Sequence, residues 1–165
     1  MNAKRVLPLA LLHAAGGHIK GKTRFQKLAF IAEQRLEKEG ISPLDFIPYN
    51  YGPFSKDLYD ALDYLEKEGL VEVKDKPTYG GDTRYDYHLT AYGRRKSDQN
   101  FPERNGDGKI VIGGEISISD EQQKLHTLYE ISDAVVKEYN EMPISNLIDE
   151  VYEMHPEYAE NSVLN

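Results

Sequence analysis

The apolar residues of this chain keep a helical period three times in succession and then switch to alternation, and that order constrains the fold more than any other feature. Residues 5–15 read as a short apolar helix, released from helical geometry by the pair Gly16-Gly17. From Thr23, the residues Phe25, Leu28, Ala29, Ala32 and Leu36 recur at helical spacing up to Gly40, with Glu33, Glu37 and Lys38 on the opposite, solvated side. Residues 41–54 hold Pro43, Pro48, Gly52 and Pro53, so no helix continues there and a structured, aromatic-rich connection is expected. Ser55 then caps a third helix, whose Leu58, Ala61, Leu62 and Leu65 fill one narrow sector and which stops at Gly69. Leu70, Val71 and Val73 form a strand, a turn with Pro77, Gly80 and Gly81 follows, and residues 84–89 return with Tyr85 and Tyr87 alternating against polar neighbours. Three helices and a hairpin in that order predict an α+β winged helix occupying residues 1–96. Thr90 caps a further short helix at its end.

Residues 97–118 have the composition of a linker, with Ile110, Ile112, Ile116 and Ile118 placed for a small hairpin about Gly113-Gly114. Residues 119–165 predict two amphipathic helices. The first carries Leu125, Leu128, Val135 and Tyr139 on one stripe, and the second, opened by Pro143 at its first position, carries Ile144, Leu147, Ile148 and Val151. Thr23 with Gln26 and Ser119 with Gln122 have the spacing of capping boxes. The two C-terminal helices either pack back on the module or pair across a homodimer.

The chain has no cysteine, which removes disulfides, thiol chemistry and thiolate metal sites and makes a reducing, cytoplasmic location the expectation. The apolar stretch of residues 6–15 is too short to span a bilayer, and the cations that follow it do not suit a leader, so no membrane association is expected. The net charge of −8 conceals an asymmetry: residues 1–100 hold 16 Lys and Arg against 14 Asp and Glu, residues 101–165 hold 4 against 14. The front half can therefore carry a basic patch, and the back half is a poor phosphate-binding surface.

No enzyme motif survives inspection. The five histidines, His13, His18, His88, His126 and His155, lack metal-binding spacing, so no metal and no cofactor is expected. Gly16, Gly21, Lys22 and Thr23 satisfy the string of a phosphate loop, but residues 6–15 favour helix where such a loop needs a strand, and no α/β alternation follows. Residues 103–114 imitate half of a calcium loop, with Glu103 first and Gly114 where the closing carboxylate belongs; a hairpin turn is the better account.

The segment KTRFQKLAF (residues 22–30), followed about twenty residues later by YNYGPFS (residues 49–55) and the third helix, resembles the small winged-helix proteins of the SocA or Panacea antitoxin type and the YwgA-like proteins. The likeness covers roughly residues 20–75, with residues 152–162 echoing the YwgA-like C-terminus; Arg24-Phe25-Gln26 departs from it where an aliphatic residue would precede the glutamine. It implies a non-enzymatic regulator, whether antitoxin, adaptor or repressor. A DNA-binding winged helix sets its third helix in the major groove and its wing on the backbone. Here the outward face of that helix holds Lys56, Asp60, Asp63 and Lys67, a poor match to phosphate. The nucleic-acid candidates lie elsewhere: Lys20, Lys22, Arg24 and Lys27 on the second helix and its lead-in, Lys74, Lys76 and Arg84 at the wing, and Arg94, Arg95 and Lys96 after it. The sequence leaves two readings open, a DNA-binding transcriptional or antitoxin-like regulator of double-stranded DNA, and an adaptor that neutralises a toxin or other protein partner through its twelve tyrosines and acidic tail.

Overall fold

The computed structural model of the chain describes residues 3–49, 52–101 and 120–158. In chain order these form α1 (Ala3–Ala14), β1 (His18–Lys20), α2 (Lys22–Glu37), β2 (Ile47–Tyr49), β3 (Gly52–Phe54), α3 (Lys56–Lys67), β4 (Val71–Pro77), β5 (Thr83–Leu89), α4 (Ala91–Asn100), α5 (Asp120–Tyr139), α6 (Ile144–Met154) and a 3-10 turn at Pro156–Tyr158. β1, β5 and β4 make an antiparallel sheet with β5 in the centre, and β2 and β3 a separate small hairpin. Helix, strand, helix, helix and wing hairpin, with the first strand added to the wing, is the winged-helix architecture, and the expected α+β class is observed.

α3 behaves as its sequence demands. Ser55 Oγ accepts from the Leu58 N–H at 3.2 Å, Leu58, Ala61, Leu62 and Leu65 are buried, and the helix ends before Gly69 with Leu70 N–H donating to Leu65 O at 2.8 Å. α4 starts equally plainly, Thr90 Oγ1 accepting from Gly93 N–H at 2.9 Å. At Gly93 a side chain would run into the backbone carbonyl of Leu70, so only glycine allows α4 to seat against the turn that joins α3 to β4. The helix continues past the expected linker start at Ser97 as far as Asn100, because Ser97 is fully buried and Phe101 anchors the exit.

α1 is apolar nearly all round, with every residue from Leu7 to Leu12 buried, because it is packed by α3 on one side and by α5 on another. α5 and α6 therefore pack back onto α1 and α2 of their own chain, and Leu128, Val135, Leu147 and Val151 join one continuous core with Phe25, Leu28 and Leu58. Arg35 Nη2 ties α2 to α5 by donating to Glu138 Oε2 at 2.8 Å.

Three expectations about α2 and its neighbours are corrected. The Thr23–Gln26 capping box does not form: Gly21 occupies the cap position with no side-chain bond, and Gln26 instead exchanges bonds with the Ser55 backbone, accepting at 3.1 Å and donating at 3.4 Å. Glu33 is buried and not solvated, accepting from Ser42 Oγ at 2.7 Å and Leu44 N–H at 3.1 Å; burial raises its carboxyl to about 7. These polar groups of α2 fix the two ends of the proline-rich connection, where the backbone lies outside the short β2–β3 ladder. Pro143 precedes α6 as its cap position, one residue earlier than expected. The apparent phosphate loop is not built, since a helix precedes Gly16 and the residues between the two glycines are spent on β1. The calcium-like stretch, the isoleucine hairpin and Ser119 lie outside the described residues.

Candidate nucleic-acid interface

Alternation along β5 turns Tyr85, Tyr87 and Leu89 towards the helices, where Tyr87 meets Phe25 edge to face at 5.2 Å, and leaves Arg84, Asp86 and His88 on the outer face. The strand register then assembles a grid. Lys20 on β1 and Lys74 on β4 flank Asp86, Lys76 sits beside Arg84, and His18 and Glu72 flank His88. Four of the ten candidate cations, Lys20, Lys74, Lys76 and Arg84, thus share one face although they come from three separate segments. Asp86 is only 2% exposed beneath them, clamped by Arg84 Nε and Nη2 donating to its two oxygens at 2.8 and 2.9 Å.

Lys22 extends this surface round the sheet edge. Its ammonium lies over the rings of Tyr85 and Tyr59, 4.4 and 5.3 Å from the centroids, at the junction of α2, α3 and the wing. Between the start of α2 and the turn end of the wing is an open cleft of about 850 Å³, lined by Lys20, Lys22, Arg24, Asp82, Arg84 and Tyr85. No acidic residue occupies the first turn of α2, so the positive end of the helix dipole adds to the cations there.

Of the remaining candidates, Arg24 borders the cleft but its guanidinium is committed elsewhere, and the others lie off that surface. Arg24 Nη1 donates to the carbonyls of Asn140 and Met142, both at 2.7 Å, and so caps the end of α5. Lys27 is buried, 1% exposed, with its ammonium beside Gly52, and burial lowers it to about 8; it is removed from any phosphate-binding surface. Arg94 lies over Gly17, where a side chain would collide with the guanidinium, and donates to Gly16 O at 3.1 Å. Arg95 and Lys96 bracket the exposed ring of Tyr92 at 5.9 and 5.7 Å on α4.

The outward face of α3 is as the sequence implied. Lys56, Asp60, Asp63 and Lys67 are exposed, joined by Glu66, while Asp57 is paired to Lys4 of α1 at 3.3 Å. Of the tyrosines, Tyr87, Tyr129 and Tyr139 are core residues, and Tyr49, Tyr79 and Tyr92 are the exposed ones among the described residues.

His18 and His88 are the residues that reading the sequence missed. Their rings stack at 4.2 Å on the outer sheet face. The available signal was the alternation His18-Ile19-Lys20, with a buried isoleucine between two outward polar residues, but three residues between glycines carry little weight until a partner strand is known.

Residues 51–99, which run from β3 through α3 and the wing into α4, match the family model described as Transcriptional regulator PadR-like family. The match takes in less than a third of the chain and stops short of the α2 segment that carries the SocA and YwgA likeness. No curated protein matches the chain. Among the described residues, no helix is long and apolar enough to cross a membrane.

Proposed function

We propose that the protein is a non-enzymatic, DNA-binding transcription regulator that grips duplex phosphates with the outer face of its wing sheet and the lead-in to α2. The observation that carries this reading is the grid of Lys20, Lys74, Lys76 and Arg84 on one sheet face, the last three of them within the segment that matches a transcription-regulator family. Such a face positions a protein on the backbone without reading bases, because each lysine neutralises a phosphate and releases counterions. The test is a mobility shift with duplexes from upstream of the protein's own coding region, at low salt and then at rising salt. Retardation that weakens with a slope of roughly −0.9 per phosphate contacted is expected. No retardation of any duplex at low salt removes the reading.

The acidic face of α3 favours a second reading, in which Asp60, Asp63 and Glu66 meet a basic protein partner, as an antitoxin-like adaptor would require. In that case a single partner is recovered by pull-down and is lost on D60K/D63K. Deleting residues 119–165 would be a poor test, since α5 and α6 supply part of the core.

A further inference from the structure

Beneath the cations of the outer sheet face lies a pair of imidazoles with no other assigned role. His18 and His88 are register partners on β1 and β5, and their ring planes are 9° from parallel. The Nε2 atom of each is buried without a hydrogen-bond partner. A shared metal does not explain them: in-plane lone pairs of parallel rings run side by side and do not converge, and among the described residues no group of three His, Cys, Asp or Glu could hold a metal ion.

The charged groups around the pair come from every strand. β1 supplies Lys20, β5 supplies Asp86 with its Arg84 clamp, and β4 supplies Glu72 and Lys74. From α4, Arg94 reaches the turn that leads into β1. The nearest carboxylate oxygen, Asp86 Oδ2, is 3.9 Å from His18 Nε2, just beyond hydrogen-bond range, and its bonds go to Arg84.

We propose that the stacked pair His18–His88 couples proton uptake to phosphate binding on the outer sheet face, so that the protein holds nucleic acid more tightly as the pH falls. That coupling rests on the face being the phosphate-binding surface proposed above. Two like charges at a ring separation of 4.2 Å repel, so the stack opposes a second proton. In the free protein even the first is disfavoured at His88: burial, then His18 and Lys74, hold His88 below the usual imidazole range against the pull of Asp86 and Glu72. A phosphate backbone laid on Lys20, Lys74 and Arg84 reverses the balance. It screens Lys74, and by drawing Arg84 off Asp86 it strengthens the pull of that carboxylate on a protonated His88. The bound state then carries more protons than the free state, and linkage requires affinity to rise as the pH falls.

The experiment is fluorescence anisotropy with a labelled duplex at fixed ionic strength, from about pH 8 to about pH 6. The wild-type association constant is expected to rise about fivefold over that range, part of one proton taken up on binding. H18Q/H88Q abolishes the rise. H13Q retains it, because His13 packs at a tilt against Phe101 and Tyr129, away from the sheet face. Should the double variant fail to fold, NMR titration of the wild-type His88 ring decides, with its midpoint moving up when duplex is added. An undiminished rise in folded H18Q/H88Q, or an unmoved His88 midpoint, overturns the coupling and leaves the DNA reading standing. Absence of wild-type binding at every pH overturns both.

Discussion

The two exposed faces that a winged helix offers to a duplex are built here in opposite ways. The face of α3 comes from one continuous stretch, so its charge could be read directly: Lys56 and Lys67 against Asp60, Asp63 and Glu66. The outer sheet face draws Lys20, Lys74, Lys76 and Arg84 from three strands up to 64 positions apart and buries Asp86 under them. The helix that usually reads bases is thus acidic, and the sheet that usually supports it carries the cations. A position in the fold does not by itself carry a chemistry; the charges that the register brings together do.

The largest test of this contrast is to reverse charge on the sheet. K74E/K76E should weaken duplex binding about 100-fold at low salt and flatten the salt slope by about two, as two phosphate contacts are lost. If binding survives, the sheet face is not the docking surface. G93A should act on both faces alike. The new Cβ meets the Leu70 carbonyl in the turn between α3 and β4, and thermal unfolding should report a loss of about 2–3 kcal/mol. A variant that loses DNA binding without such a loss has been damaged at a face and not in the fold.

Glu33 belongs to neither face and sets the pH background. Its folded-state carboxyl, raised from 4.5 to about 7, contributes stability that is full below about pH 4.5 and is lost as the pH rises through about 7. His88, held low, acts in the opposite direction, its contribution being lost as the pH falls below 6.5. Thermal stability of the wild type should drop by about 2 kcal/mol between pH 5 and 8, and E33Q should flatten that drop. The smallest effect is expected on α3. D60N/D63N should leave duplex affinity within about fivefold and move it upward, since only repulsion is removed. A loss of affinity would return base reading to α3.

Much of the fold was legible because helices report themselves locally. The apolar stripes of α2 and α3, the caps Ser55 and Thr90 and the stop at Gly69 are each decided within a few residues. β1 was not, because its three residues are a strand only through pairing with β5, some seventy positions later. The candidate site was half legible for the same reason. Residue type identified Lys20, Lys74, Lys76 and Arg84, but nothing local distinguishes them from Arg24, which is used up on the α5 carbonyls, or from Lys27, which is buried against Gly52. Gln26 shows the limit of spacing rules: it stands three residues after Thr23, yet a tertiary partner, Ser55, outbids the cap.

α1 carries a further consequence. Leu7, Leu9, Leu11 and Leu12 are all at most 1% exposed because α5, far along the chain, closes over them. A fragment cut after the wing would keep the whole stretch from α3 to β5 and still expose a greasy flank. The stretch that resembles a known family and the unit that folds therefore differ in length: residues 51–99 carry the match, while the core beneath them is completed by α1 and α5 meeting.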